Sequence, residues 1–266
     1  MGSLFDPASL IDLLLPAVIS LSLIMGRIAG LFISSPFFSA TQIPAQVKAL
    51  TLMMISLLLL GPVGIRTDLH ELMLLQYVGL TVYELSIGII IGLILSLVFS
   101  GIEMAGRLFG IQMGFAVANV VDPTTSEQIG ILSQIIRFVF LFVFFAMDGH
   151  LILLQALITS FKLLPLGGGE LNIMAISDNI IMLGAQLFKV AMQIALPISC
   201  TVLLINTGLA ALARTNPQMN IFMIGFMLNI GAGLLVLSIT IPTLIPYFQR
   251  LIYDCFEVIG TVLREL

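Results

Sequence analysis

Six long apolar runs constrain this chain more than any other feature. They cover residues 10–34, 49–65, 77–102, 129–161, 180–213 and 219–249, near the ~20-residue length that an α-helix needs to cross a bilayer. In lipid, backbone N–H and C=O groups must be paired within the segment, so helix is the default for all six. The runs are rich in Leu, Ile, Met, Ala and Gly and lack the period-two alternation of a barrel strand. Of 266 residues, 59% are hydrophobic and 9% charged, against about 25% charged in a soluble domain. The mean hydropathy is +1.19. An integral or membrane-associated all-α protein follows, with no hydrophilic block long enough to form a soluble domain.

Turn chemistry separates the runs. Ser34-Ser35-Pro36 and Ile43-Pro44 bracket one connector, and Arg66-Thr67-Asp68 and the stretch 164–169 mark two more. Arg214-Thr215-Asn216-Pro217 is a tight turn, which makes the last two runs a helical hairpin. Residues 247–266 are amphipathic and carry both charge signs, so they are expected to leave the apolar zone. No positive region precedes the first apolar run, so no cleaved signal is expected. The net charge is −4 and the basic residues are scattered, which offers nucleic acid no patch. With the amino terminus outside, inner connectors would hold Lys48, Arg107 and Arg214, and outer ones Arg66, Lys162, Arg250 and Arg264. The positive-inside rule therefore gives no decision. Trp is absent and Tyr numbers only 4, so the aromatic belt is thin. Both facts fit a subunit whose apolar faces meet protein partners.

The stretch 103–127 is too polar for lipid and too apolar for a solvated loop. Gly106, Gly110 and Gly114 recur every fourth residue, and Met113, Phe115, Val117, Val120 and Val121 accompany them before an Asp122-Pro123 break. Non-helical backbone at membrane depth survives only where protein buries it or where it lines a cavity. This stretch is therefore expected to pack inside something, such as a pore. Gly26/Gly30, Gly88/Gly92 and the Gly106 series have the small-xxx-small spacing that lets helices approach closely.

Arg27, Glu84, Glu103, Arg107, Arg137, Asp148 and Lys189 lie in or beside the apolar helices. Such charges face protein or water: as an ion path in one reading, as pairs between helices or subunits in the plainer one. Glu103 and Arg107, four apart, are expected to pair locally. Cys200 and Cys255 lack metal spacing and are expected to be buried free thiols. His150 follows Asp148-Gly149 without a nucleophile to serve. The chain has no H-E-x-x-H, G-x-S-x-G or Walker A pattern, so no catalytic, cofactor or metal set is expected. Its 14 Met residues are either adaptable core filling or a compliant surface.

Arg27-x-x-Gly30 is followed by Pro36 and Ile43-Pro44, then by Glu84-x-x-x-Gly88-x-x-x-Gly92 and the run from Gly106 to Asp122-Pro123. Gly149-His150, Leu164-Pro165, Leu196-Pro197 and Asn216-Pro217-Gln218-Met219-Asn220 continue the series. In that order, over nearly the whole length, these motifs resemble the FliR family of flagellar export-gate proteins, whose nearest relatives serve type III secretion in virulence systems. The resemblance implies a non-enzymatic subunit present as a single copy. Its partners would be FliP-like and FliQ-like subunits, FlhB at the gate entrance and the unfolded flagellar proteins that pass through. It implies bent helical hairpins within a multi-subunit helical cone, with a FliP-like part over 1–180 fused to a FliQ-like hairpin and amphipathic helix over 181–266. The cone would sit in the basal body at the bacterial inner membrane, partly at periplasmic height. A plug loop over 106–122 would comprise Gly106, Gly110, Met113, Gly114, Phe115, Val117, Val120, Val121 and Asp122, with the glycines as hinges.

Two other readings predict different behaviour. A secondary transporter would use Glu84, Arg137, Asp148 and Lys189 as pathway residues and would show internal repeats, of which the sequence displays none by eye. A scaffold would be needed for assembly and not for gating.

Overall fold

The computed structural model describes residues 7–36, 38, 44–66, 73–115, 130–168, 173–216, 218 and 220–266. Among these the chain is all helical. The helices are α1 (Pro7–Ser34), α2 (Ala45–Val63), α3 (Leu74–Gln112), α4 (Ile131–Ala146), α5 (Gly149–Leu163), α6 (Ile173–Thr215) and α7 (Ile221–Glu265). Among the described residues, five helices are long and apolar enough to cross a membrane, or six spans if α4 and α5 count as one broken span. The longest, α7, has 45 residues. At 1.5 Å per residue it is roughly 68 Å long, about twice the hydrocarbon thickness of a bilayer.

Helix boundaries depart from the apolar runs in three places. The third run continues as helix to Gln112, so the stretch expected as a loop from residue 106 begins helical. The fourth breaks at Met147-Asp148, where Asp148 takes φ 55°, a left-handed conformation that Asp tolerates better than most residues. Gly149 follows because a Cβ there would press into the Phe144 ring, 2.6 Å from Cδ2 and Cε2. The sixth run and the amphipathic tail form one unbroken helix. Between α6 and α7, Thr215 Oγ1 donates to the Leu212 carbonyl. Asn220 caps α7 by accepting the Met223 N–H at 3.2 Å.

Contacts divide the chain into two interleaved units. The first comprises Met1–Ser96, Leu151–Ile181 and Cys255–Leu266. Its core packs Leu23, Ile24, Ile28 and Phe32 of α1 against Leu59, Leu157, Phe161 and Leu166. Glycines bring α1 and α3 into backbone contact. A Cβ on Gly30 would fall onto the Leu85 carbonyl, and one on Gly88 onto the Arg27 carbonyl. The small-residue spacing thus builds a close crossing.

The second unit comprises Leu97–His150 and Met182–Asp254. Phe99, Phe140, Phe144 and Phe248 form its aromatic centre, with Phe140 edge-on to Phe99 at 4.6 Å and to Phe248 at 5.2 Å. Asn229 donates to Asn206 Oδ1 at 2.9 Å, which sets the register of α7 on α6.

Candidate functional site

The end of α3 is locked by α4 and α7, all within the second unit. Ile102, Ala105, Phe109 and Met113 are fully buried, at the three-to-four spacing of one helix face. Gly106 meets α4 so closely that a Cβ would strike the Ser133 backbone. Gly110 sits in ordinary contact with Leu132, its Cβ position 3.7 Å from Cδ1.

The helix then stops by a Schellman turn. The Gly114 N–H donates to the Ile111 carbonyl at 3.0 Å and the Phe115 N–H to the Gly110 carbonyl at 3.1 Å. Gly114 has φ 95°, open to glycine and strained for other residues. The Met113 side chain lies over Gly233 of α7, and Phe226 closes against Gly114. Of the glycines expected as hinges, Gly106 and Gly110 pack against α4 and Gly114 stops the helix. Val117, Val120, Val121 and Asp122 lie outside the described residues.

Beside this end, a cleft of about 280 Å³ is lined by Gln112, Ser199, Cys200, Val202, Leu203 and Asn206. Cys200, which lines this cleft, is exposed, contrary to expectation; Cys255 is buried. His150 is exposed and tilts against the Phe145 ring at 5.5 Å.

The charges fall into three groups. Arg27 and Glu84 are both fully buried in the first unit and pair across the α1–α3 crossing, Nη2 to Oε2 at 2.6 Å. Arg27 Nε also donates to Oε2, at 2.7 Å. Glu103 and Arg137 pair in the second unit at 3.1 Å, both partly exposed. The local Glu103–Arg107 pair gives way to this one because Arg107 points to the exposed face of α3 while Glu103 turns toward α4. Asp148 and Lys189 are exposed. Of the charges expected of a transport path, Glu84 is sealed within the first unit, Arg137 pairs with Glu103 in the second, and Asp148 and Lys189 are exposed.

The sequence pattern described as "Bacterial export proteins, family 1" matches residues 18–255. The chain is 30% identical over 240 residues to the flagellar biosynthetic protein FliR of Escherichia coli (strain K12), covering 90% of this chain and 91% of that protein. It is 27% identical to FliR of Aquifex aeolicus over 247 residues, covering 91% and 92%. With FliR of Bacillus subtilis it shares 27% over 241 residues, covering 87% and 88%. A match over nearly the full length, on a chain whose described residues fold as apolar helices, places this protein in the bacterial export proteins, family 1, together with the FliR proteins.

Proposed function

We propose that this chain is a non-enzymatic core subunit of a flagellar protein export gate, and that the segment after α3 occludes the conduit. Family membership supports the export role, and the names of the relatives support the flagellar one. The observation that carries the plug assignment is the locked end of α3. Gly106 on Ser133, Met113 on Gly233 and the Gly114 stop give a fixed base from which the apolar stretch 116–121 follows in sequence. A closed gate must stop ions yet admit an extended chain, and apolar side chains do so by excluding water from a constriction.

In this reading the chain works as a single copy beside FliP-like and FliQ-like subunits, with FlhB at the entrance, at the inner membrane in the basal body. Residues 1–180 would correspond to the FliP-like part and 181–266 to the FliQ-like part. Deleting 116–121 leaves the packed base intact. Ion leakage across the inner membrane should rise while the complex still assembles. Conductance that stays at the closed level in the assembled complex would rule out the plug. Loss of assembly without leakage would favour a scaffold.

A further inference from the structure

The turn 164–168, which leads from α5 toward α6, has its backbone groups taken up by side chains from distant parts of the first unit. Arg27 Nη2 donates to the Leu164 carbonyl at 2.9 Å. Arg66 Nη1 donates to the Leu166 carbonyl at 2.7 Å. The Gly167 N–H donates to Glu84 Oε1 at 3.2 Å, and Tyr83 Oη donates to the Gly168 carbonyl at 3.3 Å. Gly167 has φ 69°. Leu164 and Leu166 point into the core at 8% and 2% exposure.

The two carboxylate oxygens of Glu84 divide the work: Oε2 takes Arg27 and Oε1 takes the turn. The guanidinium is divided likewise. Nε and Nη2 reach Glu84, Nη1 reaches Ser160 Oγ at 3.0 Å, and Nη2 also reaches the Leu164 carbonyl. The Phe161 ring covers its face at 4.0 Å. Neither residue touches solvent. A group that passes protons or ions needs a solvent-reachable polar partner to pass them to. Here the direct neighbours are backbone amides, a serine that donates to the Leu157 carbonyl, and an aromatic face.

We propose that Arg27 and Glu84, with Arg66 and Tyr83, form a clasp that holds the non-helical turn 164–168 onto the core of the first unit, and that this pair is no part of a charge pathway. The clasp supplies hydrogen bonds to irregular backbone that the apolar side chains packed around Leu164 and Leu166 cannot supply. The glycine crossing is part of the device, since the contact of Gly88 with the Arg27 backbone brings the two charges together.

The test uses the full chain in its assembled complex in native membranes, with Cys200→Ser to remove the exposed thiol and Leu166→Cys as the reporter. Buried Cys255 serves as the internal control. Maleimide should label position 166 slowly in the parent. Glu84→Gln and Arg27→Lys should each raise that labelling on the order of tenfold, as local opening becomes easier, with Cys255 still protected. The double variant Arg27→Met/Glu84→Met decides the matter. It removes both charges but also strips Leu164 and Gly167 of their partners, so the clasp predicts an open turn.

Parent-like labelling in the double variant would show that the two groups merely neutralise each other, and would overturn the proposal. Parent-like labelling in Glu84→Gln with export abolished would restore the charge path. Equal labelling of Cys255 would mean that the pair holds the whole unit rather than the turn, which also overturns it. Tryptic cleavage at exposed Lys162 in chains without the Leu166→Cys reporter gives an independent reading, expected to rise in the same variants.

Discussion

At Gly114 two constraints meet on one residue. Its φ of 95° is disfavoured for L side chains, at a cost of about 1–2 kcal/mol. A Cβ would also stand 3.0 Å from Phe226 Cδ2. Gly114→Ala should therefore destabilise the chain, measured as a lower Tm in detergent, and Phe226→Ala should recover only the part due to the ring. Full recovery would show that the backbone is not strained. The partly exposed Glu103–Arg137 pair should matter less: Arg137→Gln should change stability by about 1 kcal/mol or less, as exposed ion pairs do. Much of this end of α3 was legible in the sequence. Ile102, Ala105, Phe109 and Met113 continue the helical period past residue 103, and that period was the available signal that the helix does not stop there. The partner of Glu103 was not legible, since a contact across 34 positions leaves no mark in local spacing.

Glycines separate into two kinds at the level of the helix. Gly30 and Gly88 stand where α1 and α3 touch backbone to backbone, whereas Gly184 and Gly208 on α6 have nothing within 4 Å of a Cβ. Gly88→Val should drive the helices apart and cost at least the ~1–3 kcal/mol of overpacking, read as loss of folded chain in the membrane. Gly208→Ala in the isolated chain should be neutral or gain up to about 1 kcal/mol from helix propensity. Equal effects would refute the close crossing. Repeat spacing made close helix packing legible, because only small residues permit such an approach, but it did not say that α1 and α3 are the pair. The break at Met147-Asp148 was not legible, because the apolar run passes through it and only the Asp148-Gly149 pair hints at a turn. The clasp around 164–168 was equally hidden, its members being recognisable singly as buried charges and a glycine-rich connector, but not as neighbours.

Across the whole molecule, uncovered apolar surface dominates. Only 11% of the α2 window and 22% of the α7 window are buried. Lipid would serve as cover for Leu57 and Leu58 on α2, whose exposed neighbours Met53 and Met54 are also apolar. One exposed stripe of α6 is different. Gln186, Lys189, Gln193, Cys200, Leu204 and Gly208 follow one another there at intervals of three, four and seven, and all are exposed. Gln193 accepts from Tyr247 of α7, but the Lys189 cation and the Gln186 amide are costly against acyl chains and suit a protein neighbour or water. Leu204, 73% exposed, lies on that stripe and contributes little to the fold of the chain itself. Leu204→Gln should leave the helicity and Tm of the purified chain within about 0.5 kcal/mol of the parent, as surface changes do. The same substitution should sharply reduce the amount of chain recovered in the assembled export complex, whereas Leu58→Gln should impair membrane insertion instead. If Leu204→Gln enters the complex at parental yield, the α6 stripe faces lipid or water, and partner subunits cover some other face.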